Sequence, residues 1–360
     1  MNKINLNRKI LTMGLLLSAS VLNAVDVVNP IYLYKGDFTS TYVISSPGYY
    51  LITEDIEFTA SGYAINITTG HVTVDLNGHT LYNTGSGTRG INAEAVEDTT
   101  IKNGTISGFS QNDISLSTVT RYNISNCTLL STGNGIWIVE CYDGRIIDCN
   151  CVQNNATGLG IEDGNKLYVK NSHFDDNGEG AYLDSIESFI FEDCTFNHNE
   201  IGCDASGSGI LRNCIAANNS ASDTDPCYGF NLVGDIMCQS CTALSNSSEN
   251  QVCYGFYVDD AGVELMQCKS NDNSTTGGTA DGIYIDAAGT ITECSCYNNT
   301  SYGIENDSAT SIIVGNKAGN NTTADYGGTN TPISTAINQL GDNDVPPLSD
   351  YTNIRYVSFI

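Results

Sequence analysis

Carboxylates recur at fixed intervals through the middle of this 360-residue chain. Four residues past a recurring Gly stand Glu162, Asp184, Asp259, Asp286 and Asp307, and the next position adds Glu140, Asp163 and Asp260. The same place holds Val139, Ser206 and Val233 in other copies. On stacked strands such groups lie about 5 Å apart, the separation of a retaining glycosidase pair, while wider pairs suit inversion. Glu162, Asp163 and Asp184 are therefore candidate catalytic acids. The same oxygens can hold Ca²⁺, the one cofactor the residue types suggest. An acidic chain also places Asp in register simply as a solvated outer face.

A second chemistry needs a histidine. His198 falls one repeat after Asp176, which makes the two a candidate acid–base pair. A surface hydrogen bond is the plainer use of such a contact. A third feature is aromatic. Tyr228 and Tyr254 each follow a cysteine, Cys227 and Cys253, and adjoin polar insertions at Ser220–Pro226, Ser247–Val252 and Ser274–Thr279. Together with Asp259, Asp260 and Asp286 they form a candidate binding surface on stacked loops. Cys227 and Cys253 are also the best-placed disulfide pair, one repeat apart.

The element that must position these residues is a repeat of roughly 22 to 27 residues, reading Gly-Ile-x-Val, a gap, then Ile-x-Asn-Cys-x-Phe-x-x-Asn. Self-similarity at this period marks a solenoid. Short β-branched segments such as Gly135–Ile138 and Arg145–Asp148, bounded by Gly, Asn and Asp, predict three strands per coil and no helix. An inward column is expected at Ile101, Ile124, Ile146, Val169, Phe191, Leu211, Cys238, Leu265, Ile291 and Ile312. The next position should face water and carry a charge ladder through Lys170, Glu192 and Arg212. The Asn or Asp that follows suits a left-handed turn.

Seven cysteines (Cys127, Cys149, Cys194, Cys214, Cys241, Cys268 and Cys294) share one column with Gly104, Ser172 and Gly315. Interchange among Cys, Ser and Gly predicts a small buried site filled mostly by free thiols. Five residues further comes an asparagine ladder: Asn154, Asn177, Asn199, Asn219, Asn246, Asn273, Asn299 and Asn320.

Residues 1–24 carry Lys3, Arg8 and Lys9, then the apolar Ile10–Leu17, then a small-residue cleavage pattern ending at Ala24, the parts of an export signal. Its removal takes three cations and no anions, moving the formal charge from −27 to −30. So few basic residues argue against nucleic acid as a partner. No later run is long and apolar enough to span a membrane. The expected location is extracellular, at the cell surface or periplasmic.

The opening Ser46–Ile56 and Val72–Leu81, with the columns above, resembles the right-handed parallel β-helix proteins of the pectate-lyase-like superfamily over residues 40 to 323. That resemblance implies an all-β fold, a single-stranded right-handed parallel β-helix of roughly 11 coils. The implied boundaries are a signal at 1–24, an entry segment at 25–62, the β-helix at 63–323 and a cap or tail at 324–360. Of the polygalacturonase-like motifs only Asp175-Asp176 occurs, and the epimerase-like stretch matches only at Tyr254-Gly255-Phe256. The resulting expectation is a non-catalytic exported protein that binds a glycan or an envelope component. The alternative is a polysaccharide hydrolase or lyase using the acidic face.

Overall fold

The computed structural model describes residues 29–328, apart from 132 and 223, together with 339 and 340. The expected signal and most of the expected cap lie outside the described residues. Each coil supplies three short strands, for example Thr157–Glu162, Asn165–Lys170 and His173–Asp175, here termed the first, second and third faces. Each pairs in parallel with the same strand of the coil before, as Val139↔Glu162, Ile147↔Lys170 and Val152↔Asp175 show. The result is a right-handed parallel β-solenoid of about 13 turns. The expected 11 was low because the entry segment is itself coiled. Tyr42–Ile44, Gly48–Ile52 and Ile56–Phe58 already pair in register with the next coil, and Ala324–Gly327 adds a strand at the far end. The one helical element among the described residues is a short 3₁₀ turn, Lys35–Phe38.

Alternation on each strand buries one row of side chains inside the coil. Ile101, Ile124, Ile146, Val169, Phe191, Leu211, Cys238, Leu265 and Ile291 form that row on the second face, all fully buried. Each such aliphatic or aromatic side chain contributes about 1.5–3 kcal/mol on burial. The last member needs correction. Ile291 pairs with Ile313, which is 2% exposed, whereas Ile312 is 52% exposed. Outside the same face, Lys170 Nζ lies 3.0 Å from Glu192 and Arg212 3.6 Å from it, so the charge ladder forms.

The corner after the second face turns through the left-handed region. Asn103, Asn126, Asp148, Asn171, Asp193, Asn213, Ser240, Gln267 and Glu293 all have positive φ, between 48° and 61°. In the last copy Gly315 takes this corner at φ 71° and Asn316 takes the column beyond it, its Oδ1 accepting from Cys294 N–H at 2.8 Å. The preceding members of that column are small for a reason beyond size. Their thiols donate to the carbonyl two residues back, 3.3 Å for Cys127 to Ser125 and 3.4 Å for Cys194 to Glu192. Ser172 does the same to Lys170 at 2.9 Å.

The asparagine ladder is buried throughout, and its amides bond along the axis: Asn219 to Asn246 at 2.8 Å, Asn246 to Asn273 at 2.9 Å. Its last rung is Asn321, which accepts from Asn299 at 3.0 Å, and not Asn320, which holds the corner at φ 60°. The recurring Gly makes room for it. A Cβ on Gly158 would sit 2.7 Å from the Asn177 amide nitrogen, and one on Gly229 2.9 Å from that of Asn246.

All fourteen cysteines are buried free thiols, Cys227 and Cys253 among them. The pair is in register, as expected, but unbonded. Parallel neighbours carry side chains side by side at about the 4.8 Å strand spacing, wider than the Cβ separation a disulfide prefers. The two thiols instead fill a small satellite core with Ala221 and Ala280. Above it the three insertions form their own ridge of parallel strands, Ser220–Ala221, Ser247–Ser248 and Ser274–Thr275.

Candidate functional site

The outer surface of the first face is built by three columns flanking each recurring Gly. One residue before it come Glu179, Ile201, Tyr228, Tyr254, Asp281 and Tyr302. Two residues after it come Tyr182, Asp204, Asn231, Tyr257, Tyr284 and Glu305. Four residues after it come the carboxylates first counted in the sequence. The residues between them, such as Phe256, Val258, Ile283 and Ile285, point inward and are fully buried. The core thus fixes which side chains this surface shows.

Four tyrosines close into one platform. Tyr254 and Tyr284 stack at 4.7 Å, Tyr254 and Tyr257 at 5.5 Å, Tyr257 and Tyr284 at 5.6 Å, and Tyr228 lies 5.4 Å from Tyr257. Carboxylates tether their hydroxyls. Tyr257 donates to Asp259 at 3.2 Å and lies 3.4 Å from Asp286, and Tyr284 donates to Asp307 at 3.1 Å. Trp137 and Tyr182 stack on the same surface at 6.4 Å, across a Gly160 whose missing Cβ leaves the indole its place.

A carboxyl pair stands at each end of the platform. At one end burial, then the Asp204 charge, pushes the Glu179 carboxyl up to about 8. Burial raises Asp204 to about 6, against a bond from the Asn231 amide at 3.0 Å. At the other end burial and the neighbouring Glu305 carboxyl push Asp281 up to about 8, although Tyr302 N–H donates to its Oδ1 at 2.9 Å. Asp281 is fully buried and shares its proton with the Glu305 carboxyl, whereas Asn231 Oδ1 has no hydrogen-bond partner.

The binding candidates Tyr228, Tyr254, Asp259 and Asp286 come together here. Asp260 does not join them; it lies on the exposed turn beyond, beside a shallow depression of about 400 Å³ shared with Asp235. Glu162 and Asp184 are register partners on the same face, three and two coils from the platform, while Asp163 occupies an exposed corner at φ 52°. Asp176 and His198 sit at equivalent exposed corners, φ 56° and 58°, with no hydrogen bond or ion pair between them. His173 instead meets Thr195 at 2.8 Å, and Thr195 reaches Asp175 at 3.0 Å. Tyr257, Tyr284, Glu179, Asp204, Asp281 and Glu305 were missed in the sequence. The same count from the Gly, stopped one residue before it or two after, reaches every one of them.

For Ca²⁺, the platform carboxylates already accept from tyrosine hydroxyls. Among the described residues one set of three ligating groups converges, His71, Glu97 and Asp98. The Arg121 guanidinium bonds Glu97 and Asp98 at 2.6 Å each and supplies the cation there. No described helix is long and apolar enough to cross a membrane.

A family model described as the right handed beta helix region matches residues 44–186 and 89–241. No curated protein matches the chain. Among solved structures, the Dettilon tailspike protein aligns with a TM-score of 0.51 at 13% identity, over 83% of this chain and 61% of that one. ORF18 of Geobacillus virus E2 aligns at 0.41 and 16% identity, over 83% and 54%. PfbA, a surface adhesin of Streptococcus pneumoniae, aligns at 0.49 and 11%, over 79% and 83%. The chain spans little more than half the length of the first two. Likeness at these identities shows the fold alone.

Proposed function

The chain belongs to the right-handed β-helix family, and on that premise we propose that it is an exported, non-catalytic protein that binds glycan chains on its first face. The observation that carries this reading is the platform of Tyr228, Tyr254, Tyr257 and Tyr284, edged by carboxylates, on a rigid outer surface. Aromatic faces present large apolar area with few rotatable bonds, and the carboxylates accept from sugar hydroxyls. The coil beneath is fully packed, so the site is pre-formed and ordering costs little on binding. The charge of −27 leaves nucleic acid out and favours a ligand that is not itself anionic.

One observation favours a second reading, hydrolysis. Glu179, raised to about 8, stands beside Asp204, raised only to about 6, a division of acid and base that glycosidases use. A glycan array probed with the mature chain, followed by an assay for new reducing ends, separates the two. Retention that falls with Tyr257→Ala and yields no products supports binding. New reducing ends abolished by Glu179→Gln make the protein an enzyme, and no retention on any glycan ends both readings.

A further inference from the structure

From Glu179 onward the outer surface of the first face has carboxyl groups and rings but no cation among the described residues; Arg89 lies on the same face in an earlier coil. Between Arg212 and the end of the described coils the basic residues are Lys269 and Lys317, and both lie on third-face strands. Glu179, Asp204, Asp259, Asp281, Asp286 and Glu305 therefore share a surface with no positive side chain among them. Such a surface attracts cations and repels anions.

One further atom points to a donor. Asn231 Oδ1, at one end of the platform, is a buried acceptor with no hydrogen-bond partner, while at the other end the proton of Asp281 is shared with the Glu305 carboxyl. A buried acceptor left unmade is costly, so a group that donates suits the Asn231 end. An ammonium offers three donors and no acceptor, and it also binds favourably over aromatic faces. A peptide adding as a further strand would need a free strand edge, but the strands here are paired on both sides. Flat stacked rings suit the flat faces of sugars instead.

We propose that this face binds a glycan of amino sugars carrying free ammonium groups, its rings on the tyrosines and its ammoniums at the carboxyl pairs. This rests on the glycan-binding reading above and names the class of glycan. Because Glu179 and Asp281 are held neutral by burial, an arriving ammonium favours their ionised forms, and binding releases protons.

The test is calorimetry of the full chain with a glucosamine hexamer, its N-acetylated counterpart and hexalysine, at about pH 6 in two buffers of different ionisation enthalpy. The free-amine hexamer should bind at least about tenfold tighter than the N-acetylated one, with proton release to the buffer. The double change Glu179→Gln and Asp281→Asn should remove both the preference and the proton release. A circular dichroism melt checks that the variant folds. Equal affinity for the two hexamers overturns the proposal and leaves glycan binding intact. Hexalysine binding as tightly overturns it in favour of charge alone. If neither hexamer binds and the array is also blank, the glycan-binding reading falls with it.

Discussion

The rings of Tyr254 and Tyr284 lie 4.7 Å apart and within 9° of parallel, although they come from different columns on neighbouring coils. Neither register nor alternation alone would join them; the stagger between columns does. Tyr284→Ala should therefore act twice. It should lower stability by about 0.5–1.5 kcal/mol through lost ring contact, read by thermal melting, and weaken glycan retention about tenfold. Unchanged retention would place the binding surface elsewhere.

Stability should fall as pH rises from about 5 to about 8. Glu179 and Asp281 hold protons in the folded chain up to about 8, above their ordinary values of 4.5 and 3.8. The folded state thus binds more protons than the unfolded one in that window, so raising pH favours unfolding. Above about 8 the effect is complete. The double change Glu179→Gln and Asp281→Asn should flatten the slope in melts across this range. Glu192 works at the opposite end, since Tyr168 and Lys170 hold its carboxyl low and that contribution disappears in acid.

The corrected phase of the last coil is testable with two adjacent residues. Ile313→Asp should cost several kcal/mol, because it buries an unpaired charge in the core row. Ile312→Asp should stay within about 0.5 kcal/mol on an exposed site. Chemical denaturation of both distinguishes them, and a reversed order would restore the earlier phase.

Native alkylation should label none of the fourteen buried thiols, and alkylation after unfolding without reductant should label all of them. Mass spectrometry reads this directly. A Cys227–Cys253 peptide resistant to labelling until reduction would show that export closes a bond that the folded geometry leaves open.

The coil was legible because its constraints repeat. Small thiols, positive-φ corners and inward aliphatics each recur often enough for one odd residue not to hide the period. The last coil was misread because Gly315 satisfies the small-residue rule while occupying the corner, which puts Asn316, Ile313 and Asn321 one residue later than expected. Tyr228 and Tyr254 were visible beside their cysteines. Tyr257 and Tyr284 were not, since their significance comes from the neighbours they meet across coils. The raised carboxyls were hidden for the same reason, as burial and the partner in the next coil are properties of the stack.

The asparagine amide that closes each repeat occupies the space left empty by the glycine that opens it, Asn177 beside Gly158 and Asn246 beside Gly229. The self-contained unit is therefore the repeat read along the chain from its glycine to its asparagine. A whole period can be gained or lost in register at about 4.8 Å per step, provided the glycine and the asparagine travel together. Such a molecule behaves as a ruler whose graduations can be added singly, so a lineage can match the length of its tyrosine surface to a polymer without redesigning the interior.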